Sequence, residues 1–476
     1  MVVPPQGVGG GAPLDAGALE DSYIARFKAL DPKVARLFGY AEVLVGAGVL
    51  SVDDVAKYAN DVISATATVA RFCDNVFSIS FSASILNSAY MSISKAAAVL
   101  NDVNMPISKA VAILNDVNMS APKAAAILDN LANLALSKVH SILVDVNLSA
   151  NKTQSILYSM VDQGSYDKLL KIITFNASDA SYTANTTLST GVNIYKNLSI
   201  ASGVTLTLGA GPGVIIADSI TNSGTIASGW IMGAGGPGVC KSGNGGDGRG
   251  AIIILASNVS VGTVISNGAD GAGAGGYTCN AAGQPGGGGG FWLISGDSVP
   301  YGGDGAGGGG AGNPNGGGGG GWSGSATGGS ASVLTFTGAP SLLNNLFKPV
   351  CDWWLVNVVN KTPSSTASIP SLGGSGGGSG DASLSATAAG GGGGGGGGQI
   401  IIYGTSVTAG SVQAKGGNGG GYAGVYALYG GGGGGGIIYV FYKNLTGTFT
   451  YNVGGGAAGG TGAKAGGTGV FRAIPV

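Results

Sequence analysis

The sequence predicts a multidomain α + β protein. Its N-terminal part is all-α with short 14-residue helical repeats, and its C-terminal part is an all-β glycine-rich repeat structure, a β-solenoid or β-sandwich with polyglycine-II-like tracts. Three observations lead there. Of 96 glycines in 476 residues, only nine precede residue 176. Five lysines, Lys95, Lys109, Lys123, Lys138 and Lys152, recur at steps of 14, 14, 15 and 14 residues. Four later segments share one template of apolar strand, short turn and Thr/Ser-rich strand, and such internal periodicity marks one structural unit stacked on itself.

Residues 1–16, with Pro4-Pro5 and Gly9-Gly10-Gly11, read as a flexible arm. Residues 17–77 form a helical docking segment: Leu19, Tyr23, Ile24, Phe27, Leu30, Val34 and Leu37 follow helical spacing, with a break at Asp31-Pro32. Residues 78–165 carry the 14-residue repeat as a stalk or base. Fourteen is two heptads, and Leu100, Val103, Ile107, Ala110, Leu114 and Val117 fall on alternating a and d positions of a coiled coil. Against this, each unit contains Asn-Asp-Val-Asn, and Pro106 and Pro122 would each cost a continuous helix about 3 kcal/mol. Short helices joined by turns, each with a cap and a proline in its first turn, are the competing arrangement.

Residues 176–476 form the glycine-rich β part, opened by strands at Asn193–Ile200 and Val204–Gly209 and interrupted by an insertion at 332–372. The four template segments start at Gly213, Ala251, Gln399 and Ile437, and the second and third align without a gap. β-branched runs with glycine at the turn mark strands. Uninterrupted Ile-Ile-Ile implies strands covered on both faces. The intervening glycine runs, the longest at 390–398 and 430–436, read either as flexible linker or as extended three-residue helices packed side by side.

The net charge of −1 provides no basic field, so nucleic acid is not expected as a partner. Residues 176–476 hold no Glu, no His and eight Asp, a poor stock for acid–base catalysis, and the expectation is that the chain is not an enzyme. No cofactor is implied, nor a metal: Cys73, Cys240, Cys279 and Cys351 lack paired spacing and His140 stands alone. Cys240 and Cys279 bracket one glycine-rich excursion and form either a disulfide or two free thiols. Gly243-Asn-Gly-Gly-Asp-Gly248 imitates a dinucleotide-binding motif, but a strand follows it instead of preceding it. Asp270-Gly and Asp304-Gly resemble calcium turns only faintly. Met1-Val-Val-Pro-Pro-Gln shows none of the basic, apolar and cleavage regions of a secretory signal, so a role outside a cell implies exit within an assembled particle.

The candidate receptor-binding residues are aromatics set among glycines or in the insertion: Tyr277, Trp292, Tyr301, Trp322, Trp353, Trp354, Tyr422 and Tyr426. A ring on an open polar surface can stack on the apolar face of a sugar; alternatively such rings, Tyr429 among them, plug gaps between glycine tracts. Nine N-x-S/T sequons, including Asn197, Asn258 and Asn444, are of the number that a chain rich in Asn, Ser and Thr produces by chance.

The Ser-Lys-Ala-x-x-Ile-Leu-Asn-Asp repeats, followed by glycine-rich β units ending in Gly-Gly-Ile437-Ile-Tyr-Val-Phe-Tyr, resemble the tail-spike or host-attachment proteins of spindle-shaped archaeal viruses over about residues 80–476. The glycine tracts are similar to those of phage fibre-tip adhesins. The resemblance implies a homo-oligomeric spike at the virion tail, outside the cell. Its helices would be held by other tail proteins and its β tip would meet a host envelope glycan or glycoprotein. Two other functions compete: a cellular surface adhesin or sheath protein, and a tail-spike glycosidase using aspartates such as Asp247, Asp270, Asp297 and Asp304.

Overall fold

The computed structural model describes residues 38–273 and 391–475, apart from 64, 144, 146, 163–165, 189–191, 210–212, 230, 234–243, 422–428 and 461–462. The arm at 1–16 and the insertion at 332–372 lie outside these residues. The chain divides into two compact units, Met1–Gln163 and Gly164–Val476.

Among its described residues the first unit holds nine helices: α1 (Ala41–Gly46), α2 (Val52–Asp61), α3 (Thr66–Asn75), α4 (Ile79–Asn87), α5 (Ile93–Asn101), α6 (Ile107–Asn115), α7 (Ala121–Leu134), α8 (Leu136–Leu143) and α9 (Ala150–Asp162). Starts and stops are written locally. Ser78 and Ser92 accept the amides of Phe81 and Lys95 as N-caps of α4 and α5, while Pro106 stands extended before α6. Each nine-residue helix then stops where Ser88, Asp102 or Asp116 turns extended and its side-chain oxygen accepts the amide two residues on, of Tyr90, Asn104 or Asn118. The heptad pattern is thus cut before a continuous coiled coil can form.

Helices pack on their second neighbours, α5 on α7 and α7 on α9, around fully buried Leu100, Ile113, Leu114, Ile127, Leu128 and Leu131. The repeated lysines join the same pairs. Lys123 Nζ donates to Ser88 O (3.1 Å) and Met91 O (2.7 Å), and Lys138 Nζ to Asp102 O (3.0 Å) and Met105 O (2.9 Å). Lys152 does likewise with Asp116 O and Met119 O, and Lys95 with Ile63 O. Asn87 and Asn115 Oδ1 accept the amides of Ser120 and Ser149, so each turn is tied to the one two helices later.

The second unit opens with a helix, α10 (Tyr166–Ile173), followed by β1 (Ala180–Tyr182), β2 (Thr186–Leu188), β3 (Val192–Ile200), β4 (Thr205–Leu208), β5 (Gly213–Asn222), β6 (Thr225–Ser228), β7 (Ile231–Gly233), β8 (Gly248–Arg249), β9 (Ile252–Ser260), β10 (Thr263–Ile265), β11 (Gln399–Thr408), β12 (Ser411–Gln413), β13 (Ile437–Thr446), β14 (Thr450–Asn452) and β15 (Val470–Pro475). A seven-stranded sheet runs β1-β3-β5-β9-β11-β13-β15 and a six-stranded sheet β14-β12-β10-β6-β4-β2; both are parallel throughout. β7 and β8 form a small antiparallel pair. Consecutive strands alternate between the two large sheets, which supplies the long connection that parallel neighbours need. The core lies between them, with Ile215, Ile254, Ile402 and Val440 on one side and Leu206, Ile226, Val264 and Val412 on the other.

This arrangement overturns the predicted fold class. About ten helices and two large all-parallel sheets give an α/β-like protein, in place of an all-α N-terminal part followed by an all-β solenoid or sandwich. The physical reason lies at the junction between the two expected parts. Tyr166–Ile173 forms a helix whose Leu169, Leu170, Ile172 and Ile173 are buried, and it packs on β5 and β9. Uninterrupted apolar runs are what parallel strands show when a helix covers the face away from the core.

The described glycine tracts hydrogen-bond to one another at every third residue. Gly394 and Gly397 donate to Gly431 and Gly434 O, both at 2.9 Å, and Gly416 and Gly419 to Gly454 O (3.0 Å) and Ala457 O (2.8 Å). That is the period of an extended helix with three residues per turn. A Cβ at Gly417 would stand 1.9 Å from Ala269 O, so only glycine permits this approach.

Candidate functional site

In each long strand of the seven-stranded sheet two consecutive residues point away from the core, and the strand bends there. Ile215 and Ala217 face the core, then Ile220 does, leaving Asp218 and Ser219 together on the outside. The same happens between Tyr195 and Leu198, Ala256 and Val259, Gly404 and Val407, and Tyr442 and Leu445. The register passes over Asp218, Ser257 and Thr405 while pairing the residues on both sides of them.

Before the bend the outer face is apolar and covered: Val214, Ile216, Ile253, Leu255, Ile401, Tyr439 and Phe441 are buried. At the bend Asp167 of α10 accepts a hydrogen bond from Thr405 Oγ1 and lies 3.7 Å from Lys443 Nζ. The Tyr403 hydroxyl is held well above its ordinary range, first by burial and then by the Asp167 charge.

Beyond the bend the outer face changes character. The register stacks Asn197, Ser219, Asn258, Ser406 and Asn444 in one column, and Ser181, Ser199, Thr221, Ser260, Thr408 and Thr446 in the next. Within a strand the two columns are two residues apart and so share a face, and successive strands lie about 4.8 Å apart. All these residues are exposed except Ser219 and Ser260, which are half-buried, and none is charged. Asn197 Nδ2 donates to Asp179 Oδ1 (2.8 Å) at the β1 end. Asn258 and Asn444 make no side-chain hydrogen bond among the described residues. The six-stranded sheet carries a similar outward column, Thr205, Thr225, Thr263, Ser411 and Thr450.

Such a face offers donors and acceptors at fixed intervals on strands whose backbones are bonded on both sides from β3 to β11 and on one side at Asn444 and Thr446 of β13. It therefore needs little further ordering to bind. Each hydroxyl or amide bond to a ligand contributes about 0.5–1.5 kcal/mol net, so affinity must come from repetition. Neither column carries a charged side chain. Among the described residues no three His, Cys, Asp or Glu cluster as metal ligands, and no helix is long and apolar enough to cross a membrane.

The residues nominated from sequence, Tyr277, Trp292, Tyr301, Trp322, Trp353, Trp354, Tyr422 and Tyr426, all lie outside the described residues, as does the pair Cys240 and Cys279. Tyr429 is described, and its ring packs where a Cβ on Gly460 would stand, 2.3 Å from Cε1. Asp270, one of the glycosidase candidates, accepts the Asn418 backbone amide at 2.7 Å and ties together two glycine-rich segments 148 residues apart in sequence. The polar columns escaped the sequence reading although their spelling was visible. An Asn column beside a Ser/Thr column writes N-x-S/T at Asn197, Asn258 and Asn444, and sequence alone attributes these sequons to chance. Comparison with known proteins finds no match: no protein-family model, no curated protein and no solved structure resembles the chain.

Proposed function

We propose that this chain is a structural, non-catalytic tail-spike or fibre protein of a virus particle. It attaches the particle to its host by binding envelope glycans on the polar face of the seven-stranded sheet. The observation that carries this reading is the pair of neutral columns headed by Asn197 and Ser199, repeated across five strands on a rigid support. The helical repeats act as the base, and other tail proteins and further copies of the chain are the partners this role requires.

The test has two arms. Purified protein applied to immobilised neutral glycans should bind with an affinity that changes little with salt, because no ion pairs are involved. Replacing Ser406 by Ala and Thr408 by Val should weaken that binding about tenfold, corresponding to the loss of one or two hydrogen bonds. Labelled antibody on purified particles should mark one end. Binding that collapses with moderate salt, or a chain absent from particles, would overturn the proposal.

A further inference from the structure

The two polar columns do not have the same period. The Ser/Thr column offers a hydroxyl on every strand, whereas the other alternates strictly: Asn197 on β3, Ser219 on β5, Asn258 on β9, Ser406 on β11 and Asn444 on β13. Strands about 4.8 Å apart place the asparagines about 9.6 Å apart. An asparagine carries a donor and an acceptor on a longer side chain, and a serine carries one short hydroxyl. Along the stack the face therefore presents long, short, long, short, long beside an even row of hydroxyls.

Resting on the glycan-binding reading, we infer that the ligand is an extended neutral polysaccharide with a disaccharide period, lying across the strands. In a 1,4-linked chain with twofold symmetry each sugar advances by about one strand spacing. Successive sugars are turned over, so equivalent substituents point to the same side only at every second unit. The even Ser/Thr column then meets a group present on every sugar. The alternating column meets the substituents that swap sides, with the short serine leaving room where a bulky one projects and the asparagine reaching where it is absent. A chain that coils, or whose units repeat singly, would fall out of step within a few strands.

The probes are β-1,4-linked glucose and N-acetylglucosamine oligosaccharides of increasing length, with 1,3-linked glucose oligomers as the contrast, bound to the full-length protein. Affinity should climb in steps, about tenfold with each added disaccharide, with the smaller part of each rise falling on the intervening single sugar, which gains only the Ser/Thr column's bond. The 1,3-linked series should show no steps. Changing Asn197, Asn258 and Asn444 together to Ser makes the column uniform and should turn the steps into a smooth rise. A second variant, Ser219→Asn with Ser406→Asn, makes it uniform in the opposite sense and guards against a fault in folding of the first. A smooth rise with the unaltered protein, or equal affinity for both linkages, overturns the disaccharide period and leaves the glycan-binding face standing. Absence of binding to every glycan overturns both.

Discussion

Lys123 shows what one residue does for the helical unit. Its ammonium group reaches Met91 O and Ser88 O, the latter also accepting the Met91 amide, in the turn that follows α4. Burial draws the Lys95, Lys123, Lys138 and Lys152 ammonium groups below their ordinary range, and at Lys138 and Lys152 the charges of Asp102 and Asp116 oppose that fall. Lys123→Met keeps the apolar stem and removes only the donors. It should destabilise the unit by about 1–2 kcal/mol, read as a lower urea midpoint with unchanged slope. No change in midpoint would mean that water replaces the ammonium at no cost. Cys73 behaves in the opposite way, as an inert group: it is fully buried, and burial pushes its thiol up to about 12. Native protein should leave this thiol unlabelled by a thiol reagent at neutral pH for as long as the helices hold, and fast labelling at Cys73 would contradict its placement.

At the scale of elements, a packed glycine tract and an open turn after a helix fail differently under substitution. Gly417→Ala sets a methyl group 1.9 Å from a backbone carbonyl, with no flexible side chain to move aside. The expected cost is about 3 kcal/mol, at the upper end of overpacking, whereas Gly48→Ala, with open space around it at φ +70, should cost about 1 kcal/mol from backbone strain alone. Equal melting temperatures for the two variants would show that the tracts are not packed as described. Much of the strand layout was legible, because the gap-free alignment of the segments at Ala251 and Gln399 is the register of the sheet, Ile252 beside Ile400 through Ser260 beside Thr408. The class was not legible. An apolar run says that a strand is covered on both faces, but not that its neighbour is parallel, since direction is set by where the chain goes between strands. Tyr166–Ile173 is only eight residues long and fell between two compositional regimes, so the helix over the sheet was missed. The polar columns were illegible for a related reason: Asn197 and Asn444 are 247 residues apart in sequence, and only the stacking of strands brings them into one line.

For the whole molecule, the distribution of ionisable groups sets the pH range in which the sheet unit holds. Residues 176–476 have no Glu and no His, and the Asp167–Lys443 pair at the bend is partly exposed and worth little. Protonating carboxylates therefore removes few native interactions, and stability should stay nearly level from neutral down to about pH 4, where most proteins already lose it. The alkaline side differs. Burial raises the hydroxyls of Tyr195, Tyr403 and Tyr439 above their ordinary value of 10.0, so the folded unit keeps these protons after the unfolded chain has released them. Above about pH 10 the unfolded state binds fewer protons than the native one, and stability falls with each further rise until the folded hydroxyls also ionise. Calorimetry of the full chain over a pH series, with the β signal in circular dichroism identifying the sheet unit, should show a flat melting temperature through the acid range and a decline beginning near pH 10. Replacing Tyr403 by Phe removes one of the three hydroxyls and should make the alkaline decline shallower without altering the acid side. A melting temperature that drops steeply between about pH 5 and 3 would mean that carboxylates hold the sheets together, against the composition of the unit.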